Sequence, residues 1–408
     1  MTAGPAERSK IPPARGTRPV NRRQLIIGAA ADLFSRKGYA GVGMGDVAEA
    51  VAIGPSALYR HFHGKQDLLT TVVADAVATL GNSIAAAEDM RLPDVVHALA
   101  TGVLEYRGVG VLWQRESRQL SPADRSRIQA SVDDIASRFA TFIGTRRPDL
   151  DAAQAELLAW AGFAVATSVS FHNLVLPEPQ FTTLLTELIA TAIDAPIPPV
   201  EMATGSTKAR NTRPPILRTQ SRREAILSEA TTLFAVNGFA GVSIEDIGAR
   251  VGITGPSVYN HFPAKSDILL AAMLRGDDWL RMDMHRAFAA ASDPRDGLNR
   301  LLGSYCAFVL DNPHLIAVLV AEAGHLPEAE RHRTRSAQHA YIAEWVSLLR
   351  EVHPQWDAVT ARIRVQAAQT LINDIALMSP LREGTGIQSA LVTIGVELLA
   401  TTDGPSVS

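Results

Sequence analysis

The sequence predicts an all-α protein made of two tandem units, each a small helical module followed by a larger helical one. Three observations carry this reading. The chain repeats itself: "ALYRHFHGKQDLL" at 57–69 returns as "SVYNHFPAKSDIL" at 257–269, and residues 22–70 align with 222–270 without a gap. In the first copy Ile26, Ala30, Leu33 and Phe34 recur at i, i+4, i+7 and i+8, one face of an α-helix. The long segments after each repeat are rich in Ala, Leu, Val and Ile at helical spacing and hold few β-branched clusters. A length of 408 residues fits two or more domains.

Composition narrows the class. Hydrophobic residues make up 47% of the chain, enough for full cores, yet no run is apolar and long enough to read as a membrane span. The N-terminal stretch "MTAGPAERSKIPPARGTRPVNRR" lacks the apolar core of a signal peptide. A single cysteine, Cys306, makes no internal disulfide, which suits a reducing cytoplasm. Net charge is -3, but it is unevenly spread. Residues 1–70 carry ten Lys/Arg against five Asp/Glu, and residues 201–270 carry eight against six. All five lysines lie in these two stretches. Basic modules attached to acidic bodies point to a polyanionic partner.

The elements follow in order. Residues 1–20 read as a flexible basic arm and 21–70 as the first small module. Its first helix carries the Ile26–Phe34 stripe and ends at Gly38, where a left-handed residue is wanted. Asp46–Ala50 forms a second helix with Val47 and Val51 inward, and Ala52-Ile53-Gly54 makes the turn. Pro55 opens a third helix, where its missing N–H costs nothing, and Leu58 and Phe62 supply the apolar edge. This is helix–turn–helix spacing with a supporting helix. The second copy, 221–270, is expected to be better capped. Ser243 stands where Gly43 does, and Thr254 where Gly54 does, so the first module is expected to be the less stable.

Residues 71–195 and 271–402 read as the larger modules. They echo one another at an offset of 206: "LSPADRSRI" from Leu120 against "LPEAERHRT" from Leu326. "DAAQAELLAWAGFAVATSVSFHNLVL", from Asp151, reads as one long apolar helix that needs burial on most sides. Residues 196–220, rich in Pro, Gly, Ser and Thr, read as a linker able to span about 80 Å when stretched.

With Leu58 and Phe62 turned inward, Ser56, Ala57, Tyr59, Arg60 and His61 are left on the outer face, and Lys65 opens the next helix. The matching residues are Pro256, Ser257, Tyr259, Asn260, His261 and Lys265. A short polar face of this kind fits a DNA major groove. Alone, Tyr59 or His61 would read as cover for a small core; repeated at one spacing within a basic module, they read as a binding face. Trp113, Phe171, Cys306 and Trp345 are candidate lining for a ligand pocket, against the plainer reading of core residues. Arg115 and Glu116 read either as headgroup ligands or as an inter-helix ion pair. Catalysis is disfavoured: the eleven histidines fall into no ligand spacing, and no Gly-rich phosphate loop or Gly-x-Ser-x-Gly is present. No cofactor or metal is implied.

The stretches "LFSRKGYAGV", "ALYRHFHGK", "LFAVNGFAGV" and "SVYNHFPAK" resemble the N-terminal signature of the TetR family of bacterial repressors. The resemblance is specific over about fifty residues in each copy and weak elsewhere. It implies that Ser56, Ala57, Tyr59 and Arg60, with Pro256, Ser257, Tyr259 and Asn260, approach bases or nearby phosphates. His61, Lys65, His261 and Lys265 match phosphate-contact positions. It implies operator DNA and a small-molecule effector as partners, and an all-helical effector domain whose last two helices (151–175 with 180–193, and 357–378 with 386–400) make a dimer interface. Ordinary members are single copies that dimerise. This chain resembles a fused pair, expected to act as a pseudo-dimer with further homodimerisation open, and is similar to tandem regulators of actinobacterial lipid-uptake operons, to which "VLWQRESRQL" contributes. A lipophilic effector is the corresponding expectation. The competing expectations are a repressor of drug-efflux genes and a sensor or scaffold with weakened DNA binding.

Overall fold

The computed structural model describes residues 22–85, 90–202 and 221–400. The basic arm, residues 203–220 of the linker and the final eight residues lie outside the described residues. The chain divides into two compact units, Met1–Ala190 and Thr191–Ser408. Both are helical, and among the described residues the single β-bridge joins Glu201 and Thr385.

The first unit opens with α1 (Arg22–Lys37), α2 (Met44–Ala50), α3 (Pro55–Leu58) and α4 (Lys65–Ala85). Ile26, Ala30, Phe34, Val47, Leu58 and Phe62 are buried together with Leu68 and Leu69 of α4, so the expected apolar stripe is a core. Leu33, the remaining member of that stripe, is only half-buried. The larger module follows: α5 (Leu92–Glu105), α6 (Val109–Gln114) with a 3-10 turn Glu116–Gln119, α7 (Pro122–Arg146), α8 (Ala152–Thr167) with a 3-10 turn Ser168–Phe171, and α9 (Gln180–Asp194). Helix α7 packs along α8. Asp151 starts α8 with a reciprocal cap: its carboxylate accepts the Gln154 N–H at 2.8 Å and Gln154 accepts the Asp151 N–H at 3.0 Å.

The expected long helix from Asp151 stops at Thr167. The Thr167 hydroxyl donates to the Phe163 carbonyl and the Ser168 hydroxyl to that of Val165, so side chains compete for the last turn. Beyond it, Arg107 gathers the carbonyls of Val169 (2.9 Å), His172 (2.9 Å) and Leu174 (3.0 Å) and lies 5.2 Å from the Phe181 ring centre. One guanidinium thus holds the segment that follows the helix, and nothing in the local sequence announces it. Helix length and composition alone would let Ala152–Phe171 cross a membrane, but 72% of that stretch is buried inside the protein, as a core helix is.

The second unit repeats the order: α10 (Arg222–Asn237), α11 (Ile244–Val251), α12 (Gly255–Val258), α13 (Lys265–Ala289), α14 (Pro294–Asp311), α15 (Pro313–Ala321) with a 3-10 turn Ala323–His325, α16 (Glu328–Val352), α17 (Ala358–Leu377), α18 (Ser379–Arg382) and α19 (Ile387–Ala400). Asp357, 206 positions after Asp151, caps α17 through the Thr360 N–H at 2.7 Å. The first residues of the expected linker are packed instead. Ile197 and Val200 are buried, and Glu201 exchanges two backbone bonds with Thr385 (3.0 and 3.2 Å).

The two small modules differ in their turns. The Ser243 hydroxyl accepts the Asp246 N–H at 3.0 Å, as expected, while Gly43 has only the half-cap from its own N–H to Asp46 at 2.6 Å. Thr254 does not cap: its hydroxyl pairs with that of Ser257 at 2.8 Å, leaving no side-chain bond to the α12 backbone. Between the helices of the motif, Gly252 takes the left-handed conformation at φ 70°, and Ala52 is forced to φ 53° at the matching position. An L-residue with a Cβ is disfavoured there.

Two outcomes follow from these differences. Ser243→Ala lowers the stability of α11 by about 1 kcal/mol, and Gly43→Ser, at an extended φ of -96°, raises that of α2 by about 0.5 kcal/mol. Hydrogen exchange of the amides in each helix reads both, and a Gly43→Ser protein with faster exchange in α2 would contradict the capping account. In the second unit, Cys306 is fully buried on α14 and burial pushes its thiol up to about 12. A thiol reagent at pH 8 therefore leaves the native protein unlabelled and reacts only after denaturant is added.

Candidate nucleic-acid interface

Helix α3 is a single turn. Pro55 supplies its first residue, Leu58 is fully buried, and the following turn inserts Phe62 into the same core. Arg23 of α1 lies over the Phe62 ring at 5.1 Å, and Arg223 over Phe262 at 3.9 Å while donating to the His261 carbonyl. With both apolar residues fixed inward, the polar ones have one direction left. Ser56, Tyr59, Arg60 and His61 are exposed and Ala57 is half-buried. In the second unit Pro256, Tyr259 and Asn260 are exposed, and Ser257 and His261 half-buried. Tyr59 and Tyr259 show 53% and 51% of their surface to solvent, the same unusual presentation of an aromatic ring in both copies. The structure thus brings five of the six sequence candidates of each module onto one turn and its continuation.

The sixth, the lysine, is placed differently. Lys265 donates to the carbonyls of Phe239 (2.8 Å) and Val242 (2.7 Å) and sits 4.2 Å from the Phe239 ring centre. Lys65 sits 4.1 Å from the centre of the Tyr39 ring. Burial lowers both ammonium pKa values from the ordinary lysine range; at Lys65 the carboxylates of Glu116 and Asp46 oppose the shift. Each lysine braces the connection between the first two helices of its motif.

That connection holds the groups that the sequence left undecided. Gly38 and Gly238 have φ of 73° and 72°, and the next residue's N–H donates to a glutamate of the larger module. Glu116, 3% exposed, accepts the Tyr39 N–H at 2.8 Å; Glu322, also 3% exposed, accepts the Phe239 N–H at 3.1 Å. Arg115 pairs with Glu116 and donates to the carbonyls of Phe34 and Ser35, which resolves the pair as an inter-helix contact. In the second unit His325 stacks on Phe239 with ring centres 5.2 Å apart, its Nε2 lying 3.4 Å from Glu322. The signal was available: the two glutamates stand at the same offset of 206 as their surroundings.

The four candidate pocket residues fall two in each unit. Trp113 and Phe171 are half-buried in the first unit. Cys306 and Trp345 are fully buried in the second. There Trp345 meets Tyr305 edge-on at 5.6 Å and Tyr341 at 6.3 Å, and the Tyr305 hydroxyl donates to Asn373 at 2.9 Å. Burial raises the pKa of both tyrosines. The Trp345 indole N–H is buried beside the Tyr341 hydroxyl. Tyr305, Tyr341 and Asn373 were not singled out from sequence, since isolated aromatic and amide residues carry no spacing signal. An open depression on the second unit is lined by Leu310, Asp311, Arg382, Glu383 and Ile387, none of them a sequence candidate. Among the described residues no group of His, Cys, Asp or Glu is arranged to hold a metal.

The model of "Bacterial regulatory proteins, tetR family" matches twice, at residues 26–72 and 226–272. The HTH-type transcriptional regulator LmrA of Bacillus subtilis is 30% identical over 156 residues, 37% of this chain and 80% of that protein. The HTH-type transcriptional repressor KstR2 of Mycolicibacterium smegmatis is 27% identical over 137 residues, 32% of this chain and 64% of its own length. Among solved structures, the ketosteroid transcriptional regulator KstR2 of Mycobacterium tuberculosis is 19% identical with a TM-score of 0.40, covering 44% of this chain and 95% of that one. With two copies of the family's helix–turn–helix, each followed by a helical module, the chain belongs to the TetR family of bacterial transcriptional regulators.

Proposed function

We propose that this regulator is a repressor whose two helix–turn–helix modules read the two halves of one asymmetric operator. One observation carries the reading: the two exposed faces stand on the same scaffold but differ in the residue at their centre, Arg60 in one and Asn260 in the other. An arginine forks onto guanine O6 and N7, whereas an asparagine pairs bidentately with adenine. Ala57 offers a methyl where Ser257 offers a hydroxyl, and Ser56 stands opposite Pro256. A homodimer carries identical helices and reads a palindrome. A duplicated chain is free of that constraint. The exposed Tyr59 and Tyr259, with His61 and His261, serve both halves as contacts to the phosphate backbone. The name of the relative KstR2, a repressor, supports the direction of control.

One chain on its own then supplies both half-site readers, centred about 34–36 Å or a multiple apart. Selection from random DNA returns a non-palindromic site, and light scattering finds one chain on the minimal operator. A palindrome, or a strict need for two chains on that minimal site, overturns the reading. Arg60→Ala relaxes one half-site by about 1–3 kcal/mol and leaves the other unchanged. Affinity falls steeply with salt because phosphate contacts release counterions; a scaffold without DNA binding shows no such slope.

The signal that releases the DNA is a lipophilic small molecule held by the larger modules. Their interiors are apolar and aromatic, with few polar groups such as the Tyr305–Asn373 pair and the buried Trp345 N–H. A ligand shifts the equilibrium only by preferring the conformation that does not bind DNA. Calorimetry with acyl-CoA and steroid intermediates, run beside DNA retardation, identifies it. Tight binding with unchanged operator affinity, or no binding by any lipophile, rules this part out.

A further inference from the structure

We infer that Glu116 and Glu322 are positioning residues that couple each larger module to its helix–turn–helix, by holding the amide that follows the positive-φ glycine. The inference rests on the DNA-binding reading above. Each carboxylate belongs to the larger module, just after α6 or α15, and the amide it accepts belongs to the connection from the first to the second helix of the motif. The bonds are long-range, 77 and 83 residues apart in sequence, and recur in both copies.

The held residue is gripped from two sides. In the second unit Glu322 takes the Phe239 N–H while Lys265 of α13 donates to the Phe239 carbonyl at 2.8 Å. In the first unit the Tyr39 hydroxyl donates to Gln66 of α4 at 2.9 Å, and Gln66 donates to the Gln119 carbonyl at 2.7 Å. The turn, the supporting helix and the 3-10 segment of the larger module thus form one hydrogen-bonded ring. A buried carboxylate is costly unless its partners stay in place. Any shift of α6 or α15 therefore carries the turn with it or leaves the charge stranded, which gives the contact two states rather than a continuum.

The copies are coupled unequally. Arg115 ties Glu116 to the end of α1 through the Phe34 and Ser35 carbonyls (3.3 and 2.9 Å). Ala321 occupies the matching position in the second unit, where the side chain facing Glu322 is the His325 imidazole, itself 35% exposed. The second module's contact lacks the strap onto its first helix.

Hydrogen exchange of the full-length protein, with and without the DNA fragment that wild type selects from a random pool, tests this. By reciprocity, DNA bound at 222–270 slows exchange in α14–α16 of wild type, on the order of fivefold or more. In Glu322→Ala that slowing disappears from α14–α16 while protection within 222–270 remains. Glu322→Asp keeps the charge but falls short of the Phe239 N–H, and behaves as the alanine variant does; it decides the matter if the alanine variant is unfolded. Glu322→Gln keeps an acceptor and retains most of the slowing. Wild-type slowing in α14–α16 preserved in a folded Glu322→Ala or Glu322→Asp protein overturns the coupling role, as does a wild type that binds DNA with no slowing there. A wild type that retards no DNA at any salt defeats the functional reading itself.

Discussion

The structure of each unit depends on how one backbone turn is closed. Between the first and second helices the chain passes through a glycine at positive φ, and the next N–H donates to a carboxylate of the larger module. A buried amide without a partner costs as much as a lost hydrogen bond. Glu116 and Glu322 supply the acceptor from the larger module. The small core of Phe34, Leu58 and Phe62, or Phe234, Val258 and Phe262, then fixes which way α3 and α12 face. The exposed tyrosines are a consequence: once Leu58 and Phe62 point inward, Tyr59 points out.

Divergence between the copies falls into two kinds. Changes on the outward face, Arg60 for Asn260 and Ala57 for Ser257, fall on exposed or half-buried positions outside the core, and Ser257 adds a bond to the Thr254 hydroxyl. Changes in the scaffold alter its quality without altering its shape: Gly43 for Ser243 removes a cap, and Ala52 for Gly252 places a Cβ in the left-handed region. The first module therefore tolerates local strain that the second avoids. The lysines follow neither pattern. Lys65 and Lys265 are retained together with the aromatic rings they lie over, and part of their charge is spent on bracing the turn.

The larger modules show how an apolar helix is ended without an obvious stop signal. Helix α8 is buried along nearly its whole length, so its hydrophobic pattern gives no hint of where it finishes. Its end is set by the Thr167 and Ser168 hydroxyls, and the segment beyond it is held by Arg107, from the turn between α5 and α6 sixty or more positions away. The matching interior of the second unit is organised around Trp345, whose partners Tyr305 and Tyr341 arrive from two helices.

The sequence by itself determined the all-α class, the duplication, the helix–turn–helix in each copy and five of the six outward residues in each. These follow from local rules: helical periodicity, the place of Pro55 at a helix start and the need for Gly38 at positive φ all act within a few residues. Duplication doubled every such signal and separated kept residues from drifting ones. Tertiary structure alone decided the role of Glu116, the bracing lysines, the early stop of α8 and the packing of residues 196–202 against the second unit. Each of these is a polar group finding a partner far away along the chain. A donor or acceptor carries no periodicity and no direction in sequence, so its partner is fixed only when folding removes water and leaves one geometry that satisfies it.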